Sequence, residues 1–253
     1  MRRCVFILTC CLAFQQSMAL GQQTELYELR VYLNDSAEKQ ALVNNYLKTA
    51  LMPALHRTGM KQVGVFKPMN ADDFSMFVLL PFENPNDFVN LRTKLESDSA
   101  YQASAKGYFD QPLRNPAFKR IDSRFLKAFS GMPKIETTAL SREKKPRIFE
   151  LRLYESHTED HARRKVEMFD NGEIQLMRDV QMGPVFFAET LAGSDAPNLV
   201  YMLSAANSGE HGKHWKAFLE HPEWDRMKNL KQYEDTVSKI QNWILVPTDY
   251  SDL

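Results

Sequence analysis

Glu28, Arg30 and Tyr32 alternate with Tyr27, Leu29 and Val31, and the same order returns 122 positions later as Glu150, Arg152 and Tyr154 among Phe149, Leu151 and Leu153. Strand side chains alternate faces, so each hexad presents one apolar face and one carrying a carboxylate, a guanidinium and a phenol. Same-face neighbours lie about 6.8 Å apart along a strand, within side-chain reach. Such a trio can do chemistry: arginine holds an anionic group in a polar cavity while glutamate or tyrosine moves a proton. It can also be architecture. A buried Glu–Arg pair fixes how two halves register, and breaking it costs roughly 3–5 kcal/mol because one charge is left stranded. The architectural use is the commoner one. These six residues form the candidate ligand-binding set; no residue is assigned a catalytic role.

The other reactive residue types fit bland roles. His157 and His161, and His211 and His214, have helix spacings that suit a metal. They follow the first and third strands of one unit, which run antiparallel, so the two pairs fall at opposite ends of the sheet. That argues against one four-histidine site and leaves at most a weak two-histidine site at either end; no metal is assigned, and solvated residues at helix starts are expected. Trp215, Phe218 and Trp224 match one helix face and its end, which predicts core packing. Met168, Met177, Met182 and Met202 read as gap-filling core residues. No glycine-rich phosphate loop, serine elbow or cysteine ligand set occurs, and no cofactor is implied.

The elements that must position the hexads repeat in order. In the first half, strand Tyr27 to Tyr32 precedes a helix from Ser36 to Arg57, with Pro53 predicting a kink or break. A hairpin then pairs Lys61–Lys67 with Ser75–Leu80, followed by a helical region from Asn86 to Tyr108 and a last strand, Ile121 to Phe129. The second half has strand Phe149–Tyr154, helix Thr158–Val180, hairpin Val185–Glu189 with Leu199–Ser204, a helix near Glu210, and strand Ile240–Val246. Each half reads β-α-β-β-α-β, a ferredoxin-like unit within an α+β class. The third strands are apolar on both faces and must be covered on both. The expected solution packs the two bare sheet faces together as an intramolecular barrel, bringing both Glu-Arg-Tyr faces into the space between the sheets.

At this point the residues resemble the NIPSNAP family. The resemblance rests on the two Tyr/Phe-Glu-Leu-Arg-x-Tyr openings and on the segments Met168-Phe169-Asp170-Asn171-Gly172-Glu173-Ile174 and Pro184-Val185-Phe186-Phe187-Ala188-Glu189-Thr190. Pro197-Asn198-Leu199-Val200-Tyr201-Met202-Leu203, Trp215-Lys216-Ala217-Phe218 through Pro222-Glu223-Trp224, and Pro247-Thr248-Asp249-Tyr250-Ser251 complete it. It implies tandem dimeric α+β barrel modules and carries over no catalytic motif.

Composition sets the remaining bounds. Residues 1–19 read as a signal peptide: Arg2-Arg3, an apolar run from Val5 to Phe14, and a small-residue cleavage site at Ser17-Met18-Ala19. All three cysteines (Cys4, Cys10, Cys11) fall inside it, so the mature chain offers neither disulfide nor thiolate chemistry. The 32 basic and 32 acidic residues are interspersed, which argues against nucleic acid and anionic membrane as partners. Domains are expected at 25–130 and 147–253, joined by a linker at 131–146 whose basic run Arg142–Arg147 is expected to be solvated. The expectation is an exported, periplasmic or secreted protein without a stable membrane span. Its expected role is to bind a small organic molecule or a protein partner without catalysis. A cofactor-free monooxygenase or isomerase is the alternative, and a homo-oligomer remains open.

Overall fold

The computed structural model describes residues 24–253, so the expected signal peptide lies outside the described residues. The strands are β1 (Leu26–Leu33), β2 (Gly64–Pro68), β3 (Met76–Phe82), β4 (Arg120–Ala128), β5 (Ile148–Glu155), β6 (Pro184–Ala192), β7 (Asn198–Ala205) and β8 (Lys239–Pro247). They close into one antiparallel barrel in the order β1-β3-β2-β8-β5-β7-β6-β4. Each half supplies four neighbouring strands, and the halves meet edge to edge. β2 pairs with β8 through Lys67 and Val246, and β4 pairs with β6 through Leu126 and Thr190. The expected face-to-face stacking of two sheets is therefore replaced by edge closure, which gives every outer strand a hydrogen-bonded neighbour.

Closure also settles which faces look inward. Tyr27, Leu29 and Val31 join Phe77, Leu79, Phe149, Leu151, Leu153, Val200 and Met202 in a single buried cluster inside the barrel. The polar face of each hexad points the other way, toward the helices. The expectation that Glu28, Arg30, Tyr32, Glu150, Arg152 and Tyr154 share the space between the sheets is thus corrected. Burying the apolar set inside a barrel removes more hydrocarbon from water than burying six polar side chains there would. β3 and β7 are covered on both faces as expected: Met76, Val78 and Leu80 meet the helices, while Phe77 and Leu79 meet the interior.

The helices lie outside the barrel. In the first half they are α1 (Ala37–Tyr46), α2 (Met52–Arg57), α3 (Pro85–Glu96) and α4 (Ser99–Phe109). A π-helical turn, Leu47–Leu51, joins α1 to α2 immediately before Pro53. Proline has no N–H and clashes with the carbonyl four residues back, and the irregular turn stands where the proline predicts a kink or break. The helical region expected over 86–108 consists of two helices, and Asp98 caps α4 by accepting from the Tyr101 N–H. α5 (Ala139–Arg142) lies between the halves. The second half carries α6 (Glu159–Met168), α7 (Ile174–Asp179), α8 (Ser208–Leu219) and α9 (Pro222–Lys228). A matching π-helical turn, Phe169–Glu173, contains Gly172 at φ 138°. Among the described residues no helix is long and apolar enough to cross a membrane.

The segment expected to be a solvated linker is packed. Ile135 joins the barrel interior, and the Glu25 carboxylate accepts from its N–H. Within the basic run, Lys144 donates to the Ser251 and Asp252 carbonyls and buried Arg147 donates to the Leu253 carbonyl. Those last residues lie on the first half: Ser251 Oγ accepts from the Val65 N–H, and Asp252 accepts from the Val63 N–H and meets His56 at 3.0 Å. The basic run ties the halves together and is not merely hydrated.

Gly183 opens β6 at φ +60°, and a Cβ there would lie 2.4 Å from the Ser204 carbonyl oxygen. Gly183→Ala therefore combines a left-handed backbone with a collision against backbone. It should lower unfolding free energy by at least about 2 kcal/mol, read by denaturant titration; a loss below half that would mean the turn relaxes freely.

Candidate functional site

Arg30 and Arg152 occupy matching places in the barrel. Arg30 is flanked by Val78 and Ser123, and Arg152 by Tyr201 and Asn242. Each arginine pairs with the glutamate two residues before it. Arg30 grips Glu28 with Nε at 3.0 Å and Nη2 at 2.8 Å; Arg152 Nη1 reaches Glu150 at 2.7 Å. Each glutamate takes a further bond from the neighbouring strand, Ser123 Oγ to Glu28 at 2.7 Å and Asn242 Nδ2 to Glu150 at 3.2 Å. Tyr32 and Tyr154 cap the arginines at 3.4 and 3.2 Å. The sequence-predicted residues thus form two separate trios, one under each helix layer, on opposite sides of the barrel.

Above these matching floors the halves diverge. Eight residues beyond the N-caps Asn84 and Asn207 of α3 and α8 stand Arg92 and Trp215. Arg92 extends into solvent, its side chain 88% exposed, and pairs with Glu96. Trp215 lies over Arg152, whose guanidinium carbon is 4.6 Å from the ring centre, and donates from Nε1 to Glu150 at 2.8 Å. Four residues beyond each N-cap stand Phe88, stacked on Phe125, and His211, whose Nε2 meets Glu150 at 2.9 Å. His211 is buried, which corrects its reading as a solvated helix-start residue. Trp215 likewise does more than pack. The strand places a carboxylate beneath both side chains, and a motif search confined to one helix has no access to that fact.

The second half adds a charge pair of its own. Lys165 Nζ meets Glu173 at 2.6 Å, and both side chains are nearly sealed from solvent. The ammonium group also lies 4.6 Å from the Phe169 ring centre. Burial pushes the Glu173 carboxyl upward despite Lys165. Beside it the Tyr154 and Tyr201 hydroxyls share a 2.7 Å hydrogen bond, and burial keeps both phenols protonated. The equivalent floor of the first half opens on a pocket of about 430 Å³ lined by Glu28, Arg30, Tyr46, Phe88, Tyr101 and Phe109 among others. There the Tyr46 and Tyr101 hydroxyls lie 2.9 Å apart, and burial raises both phenols.

Electrostatics hold the arginines charged and the second glutamate ionised. Burial works against the charge of Arg30, yet Tyr32 and Glu28 outweigh it and its pKa rises. Burial alone would raise the Glu150 carboxyl. The hydrogen bond from His211, the Arg152 charge and the Trp215 N–H reverse this and hold it at about 2.

His157 and His161 stack with ring centres 3.8 Å apart near the start of α6, and no group of three or more potential metal ligands occurs among the described residues. The four methionines read as core residues are all buried.

Residues 149–252 match the NIPSNAP family model. Solved structures with a similar fold include a candidate monooxygenase from Lactobacillus acidophilus NCFM, at 9% identity and TM-score 0.58 over 88% of this chain and 94% of that one. An anthrone oxidase-like protein aligns at 10% identity and TM-score 0.58, over 90% and 93%. A NIPSNAP-like domain protein from Burkholderia xenovorans is 23% identical over 42% of this chain and 88% of its own, at TM-score 0.38. No curated protein matches the chain. The first two share the α+β fold of this chain.

Two predictions come from this geometry. Arg152→Ala strands Glu150 and uncovers the Trp215 face, and should cost roughly 3–5 kcal/mol; an unchanged melting temperature would mean the arginine is solvated. A carboxyl held near 2 in the fold and near its ordinary value when unfolded stabilises the protein above the unfolded pKa. That contribution, about 2–3 kcal/mol, is lost as pH falls from 5 toward 2. Glu150→Gln should therefore show a shallower loss of stability over that interval than the unsubstituted protein, and parallel curves would refute the assignment.

Proposed function

From the match of residues 149–252 to the NIPSNAP family model, we propose that the chain is a tandem of two such modules, each a ferredoxin-like β-α-β-β-α-β unit. In this reading the first module binds a small, uncharged, oxygen-bearing aromatic molecule without transforming it, and the second is a filled structural counterpart. The observation that carries the reading is the 430 Å³ pocket beneath α3 and α4, open at the position where the second half holds Trp215. Its volume falls in the range of small-molecule sites. Tyr46, Phe88, Tyr101 and Phe109 supply ring faces, which favour flat apolar ligands. Glu28 and Arg30 cancel in charge, as do Arg92 and Glu96 at the rim, so neither an anion nor a cation finds a net partner. Arg30 and the tyrosine hydroxyls remain as hydrogen-bonding groups for ligand oxygens.

The second reading is cofactor-free oxidation of such a molecule, as the names of two fold neighbours suggest. At 9–10% identity that is analogy at the level of fold. Chemistry of that kind begins with a base. Glu28 already accepts two bonds from Arg30 and one from Ser123, and the phenols of Tyr46 and Tyr101 are held protonated. Binding therefore stands ahead of catalysis.

Arg92→Trp places the second half's cover over the first half's floor, at a position exposed enough to accept the larger ring. A panel of hydroxylated aromatic compounds should bind the unsubstituted protein by ligand-observed NMR and lose at least about tenfold in affinity to this variant, which is over 1.4 kcal/mol. The melting temperature should hold. Equal binding to both proteins, or no binding to either, would overturn the proposal.

A further inference from the structure

Among the described residues, the barrel has a stopper at one end and none at the other. Ile135 and Leu253 close the end where β1 and β5 begin, joining Tyr27, Phe66 and Phe149 in the interior cluster. At the end where β1 and β5 finish, a pocket of about 310 Å³ enters the barrel. Its depths are apolar, with Leu29, Val31 and Phe77 from the first half and Leu151, Leu153, Val200 and Trp243 from the second. Neither half forms it alone. It is separate from the pocket at Arg30, which lies on the opposite face of β1.

Three carboxylates and one guanidinium line the mouth: Asp73, Asp122, Asp195 and Arg124. Arg124 is spent on two of the acids, reaching Asp122 at 2.5 Å and Asp195 at 3.0 Å. The mouth therefore keeps an excess of about two negative charges above a hydrocarbon chamber. Its wall holds an aromatic pair, Phe77 and Trp243, with ring centres 5.8 Å apart. Ring faces beneath carboxylates attract organic cations, whose charge meets both while their hydrocarbon enters the chamber. The Arg124 side chain is only 8% exposed, and its Nε–H has no partner among the described residues.

The rim is built to keep this arrangement. Gly193, at φ +151°, lies so close to Arg124 that a Cβ there would meet its Cγ at 2.7 Å. The turn around Gly193 thus allows Arg124 to lie flat between Asp122 and Asp195. Ser194 Oγ donates to the second Asp122 oxygen at 2.8 Å, and Asp73 accepts from the Ser75 N–H at 2.9 Å. One oxygen each on Asp73 and Asp195 takes part in none of these bonds.

We propose that this mouth is a binding site for a compact organic ammonium ion with an apolar body, the charge held among Asp73, Asp122 and Asp195 and the body seated against Phe77, Trp243 and Leu151. Trp243 makes the site self-reporting. The probes are 3-phenylpropylammonium, 3-phenylpropanol and 3-phenylpropionate, which share one skeleton and differ in charge. Titrated into the full chain, the ammonium ion should saturate a change in tryptophan emission and bind about tenfold more tightly than the alcohol. The carboxylate should bind more weakly than either.

Trp243→Phe should abolish the signal while binding persists by calorimetry, which separates this tryptophan from Trp215 and Trp224. Asp73→Asn keeps the acceptor for Ser75, and Asp195→Asn suits its left-handed backbone (φ 59°), so both variants should fold. Each should weaken the ammonium ion several-fold and leave the alcohol unchanged. Equal affinity for all three probes, saturation by none, or ammonium binding untouched in both aspartate variants would overturn the proposal.

Discussion

A strand at the rim of a four-strand sheet carries a row of unpaired N–H and C=O groups, and this chain has four such strands, two from each half. β2 meets β8 and β4 meets β6, so all four rims are consumed in one closure. The direction of every other face follows. The sheet has an inside, which must be filled with hydrocarbon, and an outside, which the helices cover. A hexad in β1 or β5 then has no choice about which of its faces is wet, helix-covered or enclosed. The connecting segment and the final residues hold the same closure at one end of the barrel, where Ile135 and Leu253 enter the interior.

Because β1 and β5 lie opposite one another in the barrel, the two Glu-Arg-Tyr trios are equivalent by topology and independent in environment. Their floors agree in the residues that pair, with a strand hydroxyl or amide completing each glutamate. The covers do not agree. Val43, Leu51 and Val78 of the first half correspond to Lys165, Glu173 and Tyr201 of the second, so a hydrocarbon layer on one side became a charged and hydrogen-bonded layer on the other. Buried ion pairs of this sort contribute little net stability while making any partial loss expensive. The second half is thereby committed to one packing, while the first keeps room beneath its helices.

Much of this is legible in the sequence. The hexads identified the duplication, the period-two pattern separated Leu29 from Arg30, and the doubly apolar β3 and β7 required cover on both faces. The methionines and Phe218 fell into the core as their helical spacing implied. What could not be read was direction. Alternation says that two faces differ but not which one looks into a barrel, so the pattern alone is equally compatible with polar trios inside it or, as found, beneath the helices. Nor could linear spacing show that His211 and Trp215, four residues apart on α8, converge on a carboxylate 61 and 65 positions earlier. The basic run Arg142–Arg147 looked hydrated because its acceptors are backbone carbonyls more than 100 positions away.

Arg92 and Trp215 hold equivalent places on α3 and α8. Were this barrel assembled from two copies of a one-repeat chain, a single codon would dictate both places, and any residue that opened one pocket would open its twin. Joining the repeats in one polypeptide lifts that symmetry. Each position can then drift under its own selection, and loss of function on one side costs nothing if the other retains it. Here an exposed arginine stands on one side of the barrel where a stacked tryptophan stands on the other.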